Sequence, residues 1–368
     1  MAPQKVLVTL LWVLGALGAP AATADEGPGT TSQHIAFANL DYTIDRQARI
    51  LDAAPGDHRA LAAWLDALLA RVTFRSTFAD LDAADLRTRA ALAIEEGPGQ
   101  LLERARVLQH LHRFDEALAM LERGSAMLDG SADADGDALA AAFTRQRGAI
   151  AIARGDATRA LEIMSDAPGD YAGAMQRAAA LAALDRREDA ELAYLEALAF
   201  WDGITPFAPA WIEFQISEVW AGIDSVRARV HLTRALNFLP DYVRARIHLA
   251  ECIAADEGPE SAVAALAPML ASPDPEAAAR VAEFTQAMGK DASALIVRAA
   301  ADWSRLLERH PLAFADHAVE FYLGAGNDPV AAQHWARVNF ENRPTRRAGV
   351  LLAEARRAAG HPPSRPSR

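Results

Sequence analysis

Gly148-Ala-Ile-Ala-Ile-Ala-Arg-Gly155-Asp-Ala-Thr-Arg-Ala160-Leu-Glu-Ile-Met164 is the stretch that decides the fold. Apolar residues recur at helical steps on both sides of Gly155-Asp156, so two short amphipathic helices flank a turn. Small side chains, Gly148 and Ala160, stand where two such helices can approach closely. A second copy of the outgoing helix reads Ala228-Arg-Val-His-Leu232-Thr-Arg-Ala235-Leu236-Asn-Phe-Leu-Pro240-Asp241. No region shows the period-two alternation of a strand, so the chain reads as all-α.

Outward from this stretch the same hairpin recurs. Toward the N-terminus, Ala105, His112, Ala117, Leu121 and Gly124 form one unit, which opens after the break Gly97-Pro98-Gly99. Toward the C-terminus come Ala178, Asp185, Ala190, Tyr194 and Ala197, then a weaker start at Trp211 and Ile216 leading into the helix of Ala228. A fifth unit has Ala250, Ala262, Leu266 and Met269 about a Gly258-Pro259 turn. A sixth turns at Gly289-Lys290-Asp291, and a seventh gives Tyr322, Gly326, Ala331, Trp335 and Val338 before Pro344. Residues 345–359 read as a last amphipathic helix that covers an exposed end. The alanines at Ala117, Ala160, Ala190, Ala228 and Ala262 are spaced by 30 to 43 residues, with Ala331 two units further on.

These residues resemble the tetratricopeptide repeat, whose pattern wants small side chains at three positions of each helix pair, a turn former between them and often a closing proline. The resemblance covers about residues 98–359. It implies an α-solenoid of antiparallel helix pairs wound into a right-handed superhelix, with the first helix of each pair lining a concave wall. In that register Arg106, Gln109, Arg145, Arg244, Ile247, Glu251, Asp316 and Glu320 face the groove, which implies a peptide or protein partner. The lysine–asparagine clamp by which some members hold a C-terminal carboxylate is absent: Leu102 and Arg106 stand at its place, and only Arg244 and His248 loosely match its far half.

Before the repeats, residues 35–96 form an N-terminal helical unit. Ile35, Leu40, Ile44, Ala48 and Leu51 mark one apolar face, stopped by Pro55-Gly56-Asp57. Leu61, Trp64, Leu65, Leu68, Leu69 and Val72 mark the next, and Arg71-Val-Thr-Phe-Arg-Ser-Thr-Phe78 is either its tail or a loop packed on it. Residues 1–24 read as a secretory signal: Lys5, an apolar run from Val6 to Ala19, and the small-residue site Ala22-Thr23-Ala24. That run is short for a membrane span. Residues 25–34 read as a flexible start, 97–203 and 204–359 as two halves of the repeat array, and 360–368 as a disordered tail. The segment Phe200-Trp-Asp-Gly-Ile-Thr-Pro-Phe-Ala-Pro209 interrupts the array and reads as a hinge or a contact.

The export reading places the protein in the periplasm or outside the cell. Without Lys5 the chain carries 36 basic against 49 acidic side chains, a formal charge of −13. Such a balance disfavours nucleic acid and anionic lipid as partners. Cys252, the single cysteine, excludes an intrachain disulfide and reads as a small core residue. Ser131-Ala-Asp-Ala-Asp135-Gly-Asp137 is a poor calcium loop, because Ala142 stands where a bidentate glutamate is needed; an acidic insert with Asp137 capping the next helix fits better. No phosphate loop, nucleophile elbow or metal-ligand set is present, so no cofactor is expected. The expectation is a non-catalytic interaction scaffold. Self-association within an envelope complex is the alternative, and an enzyme built on Arg71, Arg75, Asp80 and Asp82 is the remote one.

Overall fold

The computed structural model describes residues 30–128, 134–165 and 169–360. The signal-like segment, the first part of the acidic insert and the tail lie outside the described residues. Among those described there is no strand. The chain forms two compact units, divided between Tyr242 and Val243. The expected division at 203/204 falls inside the first unit, where the ring of Phe207 packs on Phe37 and Phe74 with centroids 5.3 and 5.1 Å apart.

In the first unit α1 (Gln33–Ala53) packs on α2 (His58–Arg75), followed by α3 (Ala79–Ile94). Four helix pairs follow: α4 (Pro98–His110) with α5 (Phe114–Leu128), α6 (Ala134–Ala153) with α7 (Ala157–Ile163), α8 (Tyr171–Ala183) with α9 (Arg187–Phe200), and α10 (Phe207–Trp220) with α11 (Ser225–Phe238). The second unit holds α12 (Val243–Asp256) with α13 (Pro259–Leu266), α14 (Pro275–Ala287) with α15 (Ser293–Arg309), α16 (Pro311–Leu323) with α17 (Pro329–Asn342), and the closing α18 (Arg346–Ala358). Within each unit the helices pack on their chain neighbours, and first helices of adjacent pairs also meet in α4–α6, α6–α8, α12–α14 and α14–α16, with α16 meeting the closing α18. Each unit is thus a tetratricopeptide-like stack of hairpins.

Small residues make the stacking possible. Ala105, Ala117, Ala160, Ala178, Ala190, Ala197, Ala235, Ala250 and Ala262 are all fully buried. A Cβ on Gly124 would strike the ring of Phe143 from the next pair. On Gly148 it would meet the Met164 sulfur at 3.0 Å. The hairpin turns share another device, a left-handed residue after the first helix: His112, Gly155, Asp185, Gly222, Gly258, Gly289 and Asn327 all have positive φ. Aspartates then start several second helices, as Asp156, Asp224 and Asp328 accept from backbone N–H groups of the first turn.

Several expectations need correction. Gln33 and His34, expected in a flexible start, lie in α1. The segment after Val72 is helical to Arg75, then turns through left-handed Ser76 into α3, an element the sequence pattern did not mark. Asp137 lies inside the first turn of α6 and does not precede it. In the seventh pair the register slips by one: Asn327, not Gly326, is left-handed, and Ala332, Ala336 and Asn339 are the buried positions. Gly326 is needed for space, since a Cβ there would press on the Phe321 ring at 2.8 Å. Cys252 is half-buried on α12 and is not a full core residue.

The turns allow a direct check. Asp185→Gly relieves a left-handed non-glycine residue and is expected to stabilise the protein by about 0.5–1 kcal/mol, whereas Gly258→Ala, at φ +95° with open space around the new methyl, costs about 1–2 kcal/mol. Urea denaturation measures both, and equal midpoints for the two variants would refute the turn assignment.

Candidate interaction surfaces

The first helices of the pairs carry rows of polar side chains, and in both units these side chains are largely engaged with one another. In the first unit Arg106 of α4 reaches back to Asp66 of α2 and sideways to Glu103 Oε2 at 2.6 Å. All three side chains are at most 14% exposed. Burial pushes the Glu103 carboxyl up to about 7; Arg106 draws it down and Asp66 pushes it further up. His110, one turn on, is held well below the ordinary histidine value by burial, then by Arg106 and His112. Gln109 accepts from the Nε2 of Gln146 on α6. Gln176 on α8 donates to the carbonyl of Arg145 at 2.8 Å. Further along, Glu191 accepts from the Trp220 indole at 2.7 Å, and Glu213 meets His231 Nδ1 at 2.6 Å.

In the second unit one guanidinium organises the row. Arg280 of α14, 6% exposed, meets Glu251 of α12 at 2.8 Å, Glu283 at 2.9 Å and Glu320 of α16 at 2.9 Å, with Glu276 at 3.5 Å. Arg347 of α18 also pairs with Glu320, and Arg343 holds Asp316 at 3.1 Å. His248 lies 3.2 Å from Glu251 and His317 3.5 Å from Glu276. Burial alone would raise the Glu276 carboxyl, but the hydrogen bond and charge of His317, with Arg280 and His248, hold it well below its ordinary value. Burial likewise opposes the charge on Arg280, and the surrounding carboxylates outweigh it and raise its pKa. The first helices of three successive pairs and the closing α18 are therefore joined by one chain of ion pairs.

The eight residues assigned to the groove divide between the two units. Arg106, Gln109 and Arg145 belong to the first; Arg244, Ile247, Glu251, Asp316 and Glu320 to the second. Ile247 is fully buried in the core and does not face a groove, Gln109 and Asp316 are buried, and the other five are half-buried. The structure brings Glu251 and Glu320 together through Arg280. It places Asp316 on Arg343, one turn away. Sequence reasoning missed Arg280 and Glu276 because the sixth pair departs from the repeat spacing. The signal present was Asp274-Pro275 opening a helix that carries Glu276, Arg280 and Glu283 at one-turn steps.

The residues of the remote enzyme reading serve as structural ties. Arg71 makes two hydrogen bonds to Asp80, at 2.8 and 2.9 Å, and one to Asp41 at 3.1 Å. Arg75 lies over the Phe37 ring at 3.8 Å. Among the described residues no group of three or more His, Cys, Asp or Glu side chains could hold a metal ion, and no helix is long and apolar enough to cross a membrane.

No protein-family model and no curated protein sequence matches the chain. Solved structures similar to it include one chain of the crystal structure of the APC/C hetero-tetramer Cut9-Hcn1, at 14% identity and TM-score 0.49 over 86% of this chain and 59% of that one. The crystal structure of the yeast Tom70 matches at 10% identity and TM-score 0.43, covering 89% of this chain and 87% of that one. The crystal structure of the P58(IPK) TPR domain matches at 16% identity and TM-score 0.25, covering 89% and 95%. This chain spans about three fifths of the Cut9-Hcn1 chain it matches.

Two substitutions test the electrostatics. From about pH 4.5 to 7 the folded chain keeps a proton on Glu103 that the unfolded chain has released, so this group's contribution falls as pH rises through that window. Glu103→Gln removes the effect, and its stability is expected to gain on wild type by about 2–3 kcal/mol between pH 5 and pH 8. Parallel pH profiles in urea denaturation would contradict this. Arg280→Met leaves several half-buried carboxylates without their shared cation and is expected to cost about 3–5 kcal/mol, with the lost amide protection confined to residues 243–360.

Proposed function

We propose that this chain is a non-catalytic scaffold that holds a polypeptide partner along the first helices of its hairpins. The observation that carries this reading is the row on α12, α14, α16 and α18. It joins charged side chains of three successive hairpins and the closing helix in one chain of ion pairs. Such a surface is rigid, because Arg280 is fixed by four carboxylates and Glu320 by two guanidiniums. It also stays open to solvent at its edge, where the side chains of Glu251, Glu283 and Glu320 are 22, 24 and 17% exposed. A preorganised polar wall suits an extended or helical segment, since little side-chain freedom is lost on binding. The engaged state of Arg71, Arg75 and Asp80 argues for a structural role in place of the remote enzyme reading. The signal-like residues 1–24 support export before folding.

Self-association remains the second reading, and one observation favours it. The outer helices α9 and α11 expose Leu192 and Leu195, and Val226 and Val230, each pair one turn apart.

A photo-cross-linking amino acid at Arg244, on the inner row, is expected to capture a discrete polypeptide in the native cell. The same group at Val297, exposed on the outer helix α15, is expected to capture none. Equal labelling from both positions, or none from either, would contradict the scaffold reading. Adducts composed of this chain alone would favour self-association. N-terminal sequencing of the protein from its host is expected to start at Asp25.

A further inference from the structure

Helix α1 holds an unusual place in the first unit. It is the first helix among the described residues, yet its beginning lies against residues far along the sequence. The Thr31 amide donates to the Ile204 carbonyl at 2.8 Å. The Gln33 side chain both donates to Asp241 Oδ2 at 3.1 Å and accepts from the Asp241 amide at 3.0 Å. Phe37 meets the Phe207 ring edge-on at 5.3 Å, under the Arg75 guanidinium. Behind Phe37, Phe74 at the end of α2 stacks on Phe207 at 5.1 Å and meets Trp211 and Tyr242 edge-on. The first unit therefore curls until its opening helices touch its closing ones. All fourteen residues of α10 are buried, which an open wall would not allow for the first helix of a pair.

The bonds that hold α1 are weak compared with those of its neighbours. Only Ala36, Phe37, Leu40, Ile44 and Leu51 of its twenty-one residues are buried, against eleven of eighteen in α2. Ser32 gives no side-chain cap, no acid stands in the first turn and no base in the last, so α1 carries no side chain of its own that complements either end of its dipole. Its ion pairs are partly open to solvent: Asp41 with Arg71 and Arg75, and Asp52 with Arg87. Its contacts with residues 204–241 close a very long loop, and Pro55-Gly56 gives it a short tether to α2. Such an element opens without the rest of the fold.

We infer that α1 is a built-in, releasable occupant of the first unit, clasped by Phe37 on Phe207, and that its release uncovers Phe207 at the start of α10 for a partner helix presenting an aromatic side chain. What the release serves rests on the scaffold reading; the release itself does not.

Hydrogen exchange on the full chain tests it without any partner. In wild type, amides of residues 33–53 are expected to exchange at least tenfold faster than those of α8 and α10. Phe37→Ala is expected to widen the gap to α8 about tenfold further and to lower protection over residues 201–214, with α5 to α9 unchanged. Gln33→Ala, an exposed change that leaves the core intact, is expected to speed exchange severalfold in residues 33–53 alone. A synthetic peptide of residues 31–54 added to the Phe37→Ala protein is expected to restore protection over residues 201–214, and the same peptide with Phe37→Ala to restore none. The inference is overturned if α1 exchanges in step with α10 in wild type, if Gln33→Ala leaves α1 unchanged, or if the peptide protects nothing. Failure of partner capture from the inner row, with these exchange results intact, would remove the scaffold reading and leave the clasp.

Discussion

Close approach of helices across small side chains is the constraint on which everything else depends. Where Gly124 meets the ring of Phe143 there is no room for a methyl group, so a bulky residue of one hairpin is admitted by the absence of a side chain on the one before. Repeated at the buried alanines, this nesting fixes the distance between successive hairpins. It also fixes the distance between their first helices. Only at that spacing can Arg280 of α14 span from Glu251 on α12 to Glu320 on α16.

The polar rows follow from that geometry and are costly to build. A buried guanidinium or carboxylate loses hydration and must recover it from neighbours, and a pair broken on one side is worse than no pair. The second unit answers with shared ligands: Arg280 serves several carboxylates, and Glu320 serves two guanidiniums. The first unit answers differently. Asp66 and Glu103 share Arg106, and burial leaves the Glu103 carboxyl at about 7. The two rows thus differ in how fully charge is compensated, though both arise from the same helix positions.

Much of this was legible in the sequence. The hairpins were, because Ala117, Ala160, Ala190 and Ala262 mark the close approaches and Gly155, Asp185 and Gly289 mark the turns. The seventh pair misled by one residue because Gly326 stands beside Asn327: the glycine drew attention as the turn former, while packing against Phe321 is its actual demand. The state of the inner-row residues was not legible. Repeat position gives the direction in which Glu251 or Asp316 points, but which cation meets it depends on Arg280 and Arg343, residues of neighbouring hairpins. Nor could local periodicity reveal that Phe37 and Phe207 touch, since a contact across 170 positions leaves no mark on either helix.

The most direct test of the nesting claim is a double-mutant cycle between Gly124 and Phe143, read by urea denaturation. Gly124→Ala alone should cost about 1–3 kcal/mol through overpacking, and Phe143→Leu should cost stability through a cavity. The account predicts strong non-additivity: with the smaller residue at 143, adding the alanine methyl costs little or nothing, a coupling of about 1 kcal/mol or more. Additive losses within about 0.3 kcal/mol would show that the two positions do not meet, and would contradict the close approach on which the stack is built.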